Sequence, residues 1–327
     1  MSGKLRIGII GCGDFLRLRA ADLLSSRQVE VKLLYSPVNS ANAERYAEIF
    51  GAKAADSPEA IINDPEIDVV CVFVPPFVRK EYVLAAAKAG KQIVATKPLA
   101  ADLSDAREMT EAVEQAGVRC GVIYRRTNNP VIEAYKEIFS GGKFGKLALY
   151  KQDWLHHYPT WNRWATAPQK NGGPFMDAML HNLNAARYLM GRRAVGRVFF
   201  SDDHTHSLAC DDTQFLKVDF EQGASAHLFI TWAAELAVYD SAKNDREHID
   251  QCFMVTDQGW LFRNEIREGK AVITATRNGL EKDFPVIPFE ETFFDRYAKE
   301  IKNRDILPAD LPDIREAYED LRILLEN

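Results

Sequence analysis

Three residues of types that can exchange protons or stabilise charge stand in two short segments. Asp177 and His181 are four residues apart, after Gly172-Gly173-Pro174, and Lys97 comes directly before Pro98. Residues four apart lie on one face of a helix, so the carboxylate and the imidazole are expected side by side. Histidine titrates near neutral pH, with an unperturbed pKa of about 6.5. The pattern therefore predicts general acid–base catalysis by this helix.

The helix predicted over residues 175–190 has two stripes. Its apolar stripe contains Met176, Met179, Leu183, Ala186 and Met190, and its polar stripe runs from Asp177 and His181 to Asn184 and Tyr188. A surface helix would also have an apolar and a polar stripe, and that alternative stays open. Three observations favour catalysis: the polar stripe lacks Lys and Glu, a glycine pair leads into it, and an aromatic cluster precedes it.

A glycine-rich turn lies near the N-terminus. Residues 8–16 read Gly-Ile-Ile-Gly-Cys-Gly-Asp-Phe-Leu, between a predicted strand and a predicted helix. Gly11 allows a tight turn, and Gly13 lets a pyrophosphate approach the start of the helix at Asp14 and Phe15. Leu16 replaces the third glycine of G-x-G-x-x-G, so helix and strand should pack less closely. A purely structural turn is the alternative, but the strand–helix setting favours dinucleotide binding.

The second predicted strand ends Leu34-Tyr35-Ser36-Pro37, where selectivity for the ribose is usually set. A domain selective for NAD carries an Asp or Glu here, which accepts a hydrogen bond from the ribose 2′-hydroxyl. No acid is present, no Arg follows, and Ser36 could bond either a hydroxyl or a 2′-phosphate. The predicted cofactor is NAD(P), with a slight preference for NADP.

Two longer motifs are more specific than the glycine turn. Residues 96–100 read Thr-Lys-Pro-Leu-Ala, similar to E-K-P-L-A, and residues 172–181 match G-G-x-x-x-D-x-x-x-H. Shorter matches follow in the same order at Arg125-Arg126, Pro130, Gly145-Lys146 and Asp211-Asp212-Thr213. Along its whole length the chain thus resembles the Gfo/Idh/MocA oxidoreductase family. The resemblance implies a nucleotide-binding domain, a second α/β domain, and NAD(P)-dependent chemistry on a sugar, cyclitol or related polyol.

The motifs and the resemblance together give two sets of site residues. The cofactor set is Gly11, Gly13, Asp14, Phe15, Ser36, Val74, Pro75, Lys97 and Pro98, and the substrate set is Lys97, Arg125, Trp154, His156, Trp161, Trp164, Asp177 and His181. The aromatic cluster of residues 154–164 includes His157 and Tyr158. As a hypothesis, it places ring faces against the C–H surface of a polyol, whereas a core cluster is the alternative.

The catalytic residues implied are Lys97, Asp177 and His181. His181 is assigned as general base in the oxidation direction and as general acid in the reverse direction. Lys97 bonds the reacting oxygen and stabilises developing alkoxide charge, and Asp177 orients the substrate hydroxyl or the lysine. In the family the acid–base role has also been placed on lysine, so that assignment stays open for Lys97.

Three positions depart from the family pattern. Thr96 replaces the usual Glu, Arg79 stands where His is frequent, and Asn184 stands where Asp often follows the motif histidine. The first two weaken inferences about contacts on the nicotinamide side, and the third weakens inferences about substrate contacts.

Two other functions stay open besides hydride transfer to or from a polyol carbon. A lyase or hydrolase of the same fold would use NAD transiently, and a non-catalytic sensor would bind a sugar or nucleotide without turnover. The intact Lys97, Asp177 and His181 count against the sensor. Absence of net NAD(P)H would indicate the lyase or hydrolase.

The elements that position these residues alternate in the first third of the chain. Apolar runs at residues 5–10, 29–35, 69–74, 93–96 and 118–123 alternate with helical patterns at 17–25, 41–50, 79–89 and 104–116. Continuous apolar strands with intervening helices predict a doubly wound parallel sheet of the Rossmann type. After Pro130 the strands alternate in polarity, which predicts an α/β domain with an open, mostly antiparallel sheet. The predicted domains are residues 1–125 and 126–327, with the C-terminal helix able to pack back on the first.

Composition sets the remaining expectations. The 327 residues suit about two domains, and 47 acidic against 41 basic residues give a formal charge of −6. This excess argues against nucleic acid and against an anionic membrane as partners. Five scattered cysteines predict reduced thiols and a cytoplasmic protein, and no residue pattern supports a metal site. The expected partners are a small polyol and further copies of the chain, as a dimer or tetramer.

Overall fold

The computed structural model describes residues 3–160, 164–205, 208–234, 249–303 and 311–326. The strands are β1 (Leu5–Ile10), β2 (Val29–Tyr35), β3 (Lys53–Ala54), β4 (Val69–Val72), β5 (Gln92–Thr96), β6 (Cys120–Ile123), β7 (Leu147–Leu155), β8 (Ala194–Asp202), β9 (Thr213–Phe220), β10 (Ala224–Thr231), β11 (Ile249–Thr256), β12 (Leu261–Arg267), β13 (Lys270–Arg277) and β14 (Leu280–Pro285). The α-helices are α1 (Asp14–Ser25), α2 (Ser40–Phe50), α3 (Pro58–Ile62), α4 (Lys80–Lys88), α5 (Leu103–Ala116), α6 (Pro130–Ser140), α7 (Leu180–Met190), α8 (Phe293–Lys302) and α9 (Ile314–Leu325). Within the described ranges, none of these helices is long and apolar enough to cross a membrane.

The first sheet is parallel, with strand order β3-β2-β1-β4-β5-β6. Strands β4 and β6 are buried at every residue, as expected for a sheet covered on both faces. The chain runs outward from β1 to β2 and β3 on one side and continues with β4 on the other. Ligands of such sheets bind at the carboxyl ends of the strands, where the order reverses. Here that point lies between β1 and β4.

The second sheet has strand order β14-β13-β12-β11-β7-β10-β9-β8. Its neighbours are antiparallel except for β7 and β10, which run parallel. Helix α7 packs against β7 and β10 on one face. The two sheets confirm the predicted α/β fold class.

Contacts divide the chain into two compact units, Met1–Asn128 with Phe289–Leu321, and Asn129–Pro288 with Arg322–Asn327. The chain passes from the first unit to the second after Asn128, three residues after the predicted boundary between residues 125 and 126. Helix α8 returns to the first unit, where Tyr297 is buried in the same apolar cluster as β1 and β2. The Tyr297 hydroxyl donates to the carbonyl oxygens of Ile93, at 2.5 Å, and Arg119, at 3.1 Å.

The predicted elements differ from the observed ones mainly where they are short or amphipathic. Strand β3 has two exposed residues, and α3 has five residues, so neither gives an apolar period long enough to detect. Strands β8 and β11 to β14 also escaped prediction. Strand β12 is exposed at five of its seven residues, so its sequence lacks a clear apolar alternation, although Phe262 packs on Phe139 of α6 with ring centroids 5.2 Å apart.

Candidate active site

The glycine turn after β1 lies against the turn after β4. Gly11 has a φ of +105°, and a Cβ built on it would lie 2.7 Å from the Phe73 carbonyl carbon and oxygen. No other residue fits there without moving that backbone. The Gly11 amide donates to the Tyr35 carbonyl at 2.8 Å. The ends of β1, β2 and β4 are thereby held together.

Gly13 differs from Gly11 because its environment is open. A Cβ at Gly13 would have no protein atom within 4 Å, and its φ of −96° would suit most residues. Gly13 is the N-cap of α1, and no side chain caps that helix start. Backbone N–H groups at a helix start bind anions, so this open turn fits a pyrophosphate. Leu16, in place of the third glycine, is fully buried.

Ser36 stands at the predicted ribose position. Its hydroxyl accepts a hydrogen bond of 3.4 Å from the Asn39 amide, and Asn39 in turn caps α2 by accepting from the Ala41 amide at 3.1 Å. The side chain of Ser36 is half-buried. No acidic residue stands between Ser36 and Asn39, all of which the structure describes, so the loop offers a hydroxyl and backbone amides.

Lys97 follows β5 in a turn with a cis peptide bond to Pro98. From Ile93 to Ala100, all of them described, Lys97 is the one residue that is not buried. The buried residues on both sides fix the backbone of this turn. The partly exposed lysine thus lies at the carboxyl edge of the first sheet, the edge at which Gly11, Val74 and Ser36 follow their strands.

A buried arginine holds the Lys97 turn, and sequence analysis noted it only as a departure from the family. The Arg79 guanidinium donates to the Thr96 carbonyl at 2.6 Å, the Leu99 carbonyl at 3.1 Å and the Val74 carbonyl at 2.7 Å. It also donates to the Pro98 carbonyl and to Thr96 Oγ1. In the sequence Arg79 is followed by Lys80 and Glu81 at the start of a predicted helix, so no local signal distinguished it from an exposed charged residue.

Asp177 and His181 lie in the second unit. Instead of the single α-helix predicted over residues 175–190, a π-helical turn (Phe175–Met179) precedes α7. Such turns are rare and occur mainly at functional sites. Between Gly173 and Ala186, all described, solvent reaches only Asp177 and His181. The carboxylate and the imidazole therefore form the accessible part of an otherwise buried segment.

The start of the π-helical turn is held by β9, a contact that sequence analysis missed. The Gln214 side-chain oxygen accepts from the Phe175 amide at 2.8 Å, and its nitrogen donates to Ser201 Oγ at 3.2 Å. Gln214 comes directly after the Asp211-Asp212-Thr213 motif, which was the available signal. Asp212 is fully buried and accepts from the Thr205 amide at 2.9 Å.

The polar stripe of the predicted helix is shorter than expected. The Tyr188 hydroxyl donates to Glu133 at 2.8 Å, and its ring lies 4.6 Å from the Lys136 ammonium. Tyr188 thus joins α7 to α6 through its hydroxyl and its ring. Asn184 is fully buried. Asp177 and His181, like Tyr188, are partly exposed.

The aromatic cluster is partly described. Trp154 lies on the face of β7 that carries the buried Gln152, and its ring is 5.2 Å from that of His156. His156 is buried, with Nδ1 2.7 Å from the His157 carbonyl oxygen. Trp164 is half-buried, Arg125 is exposed in the first unit, and Trp161 lies outside the described residues. No group of three or more His, Cys, Asp or Glu among the described residues is arranged to hold a metal.

Comparison with known families decides the assignment. One family model, an oxidoreductase family with an NAD-binding Rossmann fold, matches residues 5–124, and the Gfo/Idh/MocA C-terminal domain matches residues 132–245. The chain belongs to the Gfo/Idh/MocA family. It is accordingly an NAD(P)-dependent oxidoreductase, and the predicted family is confirmed.

Several relatives within the family align over nearly the whole chain. Scyllo-inositol 2-dehydrogenase (NAD(+)) of Bacillus subtilis is 24% identical over 93% of this chain and 86% of its own length. Myo-inositol 2-dehydrogenase of Thermotoga maritima is 27% identical over 91% and 86%. Among solved structures, the aldose-aldose oxidoreductase of Caulobacter crescentus in complex with glycerol is 19% identical and superposes with a TM-score of 0.82, covering 98% of this chain and 95% of that one. At that identity, the structural match shows the fold alone.

Proposed function

We propose that this oxidoreductase transfers hydride between nicotinamide and a hydroxyl or keto carbon of a sugar, sugar derivative or cyclitol. The observation that carries the proposal is the accessibility of Asp177 and His181 alone in a buried segment of Gfo/Idh/MocA sequence. A carboxylate and an imidazole kept accessible in this way suit proton exchange with a hydroxyl. The inositol dehydrogenases among the relatives support a cyclitol or sugar as the substrate class.

The cofactor is held by the first sheet. The open helix start at Gly13 receives the pyrophosphate, Ser36 lies at the ribose, and Val74, Pro75 and Pro98 lie at the nicotinamide end. When bound, the nicotinamide accepts hydride from the substrate carbon or returns it. Ser36 and the backbone amides beside it accommodate a 2′-phosphate without an opposing carboxylate, which supports a slight preference for NADP.

The chain's own side chains move the proton and stabilise charge. His181 takes the hydroxyl proton as the carbon is oxidised and returns it in the reverse direction. Lys97, as an ammonium, donates to the reacting oxygen and stabilises alkoxide charge. Asp177 orients the hydroxyl or the lysine, and Trp154, His156 and Trp164 contact the rest of the polyol, with Arg125 as a further substrate contact.

A panel of polyols and keto-sugars with both cofactors tests this function by absorbance at 340 nm. Sustained NAD(P)H formation with a cyclitol or sugar is the expected result. Turnover without net NAD(P)H would replace it with the lyase or hydrolase function. Nucleotide binding without turnover of any panel member would indicate a sensor.

The substitution His181→Ala tests the role of the histidine. We expect kcat to fall by about 10²–10⁴-fold, the usual contribution of a positioned acid–base group, with nucleotide Kd nearly unchanged. Tyr188→Phe on the same helix is the matched control, since its hydroxyl bonds Glu133 instead. Turnover of His181→Ala near the wild-type rate across pH 6–9 would transfer the acid–base role to Lys97.

The same proposal includes the compartment and the oligomeric state of the protein. All five cysteines are free thiols in the structure, which supports a reducing compartment, the cytoplasm. The face of the second sheet that turns away from α7 carries exposed apolar side chains, which supports self-association as a dimer or tetramer.

A further inference from the structure

Arg79 joins two turns that both serve the proposed site. Nη1 donates to the carbonyl oxygens of Thr96, Pro98 and Leu99, and Nη2 donates to the Val74 carbonyl and Thr96 Oγ1. Two of these carbonyls, at Thr96 and Pro98, flank Lys97 directly. One planar group therefore fixes the backbone on both sides of the lysine and ties it to the turn after β4.

Folding stability alone does not explain why the Arg79 guanidinium is buried in this way. Arg79 is only 2% exposed, and its hydrogen-bond acceptors are four carbonyls and a hydroxyl, with no carboxylate among its described partners. Burying an ion without an opposite charge is expensive even when it is hydrogen-bonded. Burial lowers the pKa of Arg79 to about 9, so the guanidinium remains charged at neutral pH.

An apolar side chain would fill the same volume without that desolvation penalty. What it could not do is donate to both turns at once, because that requires several N–H groups in a fixed plane. The feature that the guanidinium maintains is the turn geometry, and Lys97 is the one residue of that turn which solvent reaches.

We propose that Arg79 is the positioning residue for Lys97: its guanidinium fixes the turn of residues 96–99 against Val74 so that the lysine ammonium meets the reacting oxygen. The inference rests on the proposed function, in which Lys97 bonds that oxygen. Arg79 itself touches neither substrate nor cofactor. Its effect is on kcat, through the orientation of the Lys97 side chain.

A double-mutant cycle tests whether Arg79 acts through Lys97. We expect Arg79→Met to lower kcat by about 10–100-fold while nucleotide Kd changes less than about threefold, and to have no further effect in a Lys97→Met background. Arg6→Met is the matched control, because Arg6 pairs with Asp68 away from this turn and should leave kcat unchanged. Independent, multiplying effects of the two substitutions would overturn the proposal.

Arg79→Lys keeps the result interpretable if Arg79→Met does not fold. The ammonium retains the charge but cannot span the two turns, so kcat should still fall at unchanged nucleotide Kd. A folded Arg79→Lys enzyme with wild-type kcat would contradict the positioning role.

A labelling measurement separates this inference from the proposed function. The acetylation rate of Lys97 with an N-hydroxysuccinimide ester, read by peptide mass spectrometry, needs no substrate. We expect the rate to change at least threefold in Arg79→Lys, with the exposed Lys88 as internal reference. An unchanged rate would overturn the positioning role even if polyol turnover is found, whereas a changed rate without any polyol turnover would refute only the proposed function.

Discussion

Single residues at the edge of the first sheet determine how a nucleotide can approach. The backbone of Phe73 leaves no room for a Cβ at Gly11, whereas a Cβ at Gly13 would have no atom of the other described residues, its chain neighbours aside, within 4 Å. Burial raises the pKa of the Cys12 thiol between them to about 12, which disfavours the nucleophilic thiolate. Gly11 is therefore required by packing within the protein, whereas Gly13 leaves room for a ligand.

The substitution Gly13→Val should raise the nucleotide Kd at least tenfold. The new side chain fits the backbone conformation, since Gly13 has a φ of −96°, but it occupies the space beside the helix start. Titration by nucleotide fluorescence measures the effect, with the melting temperature as a check on folding. Gly3→Val, at an equally open glycine outside the turn, is the control. Unchanged affinity in folded Gly13→Val would remove this turn from the cofactor site.

Ser36→Asp should shift the cofactor preference toward NAD. A carboxylate accepts from the ribose 2′-hydroxyl and repels a 2′-phosphate. The ratio of kcat/KM for NADP to that for NAD measures the shift and should fall at least tenfold. Val38→Asp adds the same charge two residues away, on a side chain that is 95% exposed, and should change the ratio little. Equal ratios for both variants would place Ser36 away from the ribose.

Among the structural elements, α8 shows how one carboxylate joins distant parts of the first unit. Asp295 completes a capping box with Thr292 and accepts from Ser26 Oγ at 2.6 Å and the Arg27 amide at 2.9 Å. Burial alone would raise the pKa of Asp295, but these hydrogen bonds outweigh it and hold the pKa below its ordinary value. The link joins α8 to the segment between α1 and β2.

Asp295→Asn should lower the free energy of unfolding by about 1–3 kcal/mol at neutral pH, the usual effect of losing bonds to a buried charged group. A carboxylate with a depressed folded pKa stabilises the fold above its unfolded pKa, about 3.9, and this contribution is lost as pH falls through the folded pKa. The difference from wild type should therefore shrink below about pH 4 in urea titrations. The exposed Glu48→Gln is the control, and a pH-independent difference would refute the electrostatic origin.

The elements that could be predicted from sequence are those whose apolar residues form a long run or a regular period. Strands β1 and β2 were predicted with their observed bounds, because their apolar residues are closely spaced. The π-helical turn was missed because a single widened turn has no apolar period of its own that would distinguish it from an α-helix. Arg79 and Gln214 were missed because their hydrogen bonds reach residues far along the chain, which no local period records.

At the scale of the whole molecule, the second sheet has one face that carries exposed aromatic side chains and turns away from α7. Phe199 points to the π-helical turn, with its ring 6.2 Å from that of Phe175, whereas Phe200 points the other way and is 60% exposed. The ring of Phe215 stacks beside that of Phe200 on the same face. Exposed rings on a broad sheet favour association with a second copy.

Light scattering should give a solution mass of at least twice the 36.9 kDa of one chain. Phe200→Asp should shift the mass toward that of a monomer, because it places a charge in the apolar face. Val38→Asp, in the first unit, serves as the control and should leave the mass unchanged. A monomeric wild-type protein at micromolar concentration would refute the association.

The return of the chain to the first unit has a consequence for biosynthesis. A ribosome releases residues 1–128 long before α8, yet the core of this unit includes Phe293, Phe294 and Tyr297 from that later helix. The ring of Tyr297 also occupies the space that a Cβ on Gly121 would need. The nascent first unit therefore has an apolar groove open to chaperones or aggregation until α8 has been synthesised. Supplying residues 289–321 as a separate peptide should bind this groove and restore solubility to a 1–128 fragment, and failure to do so would show that the fragment completes its core without α8.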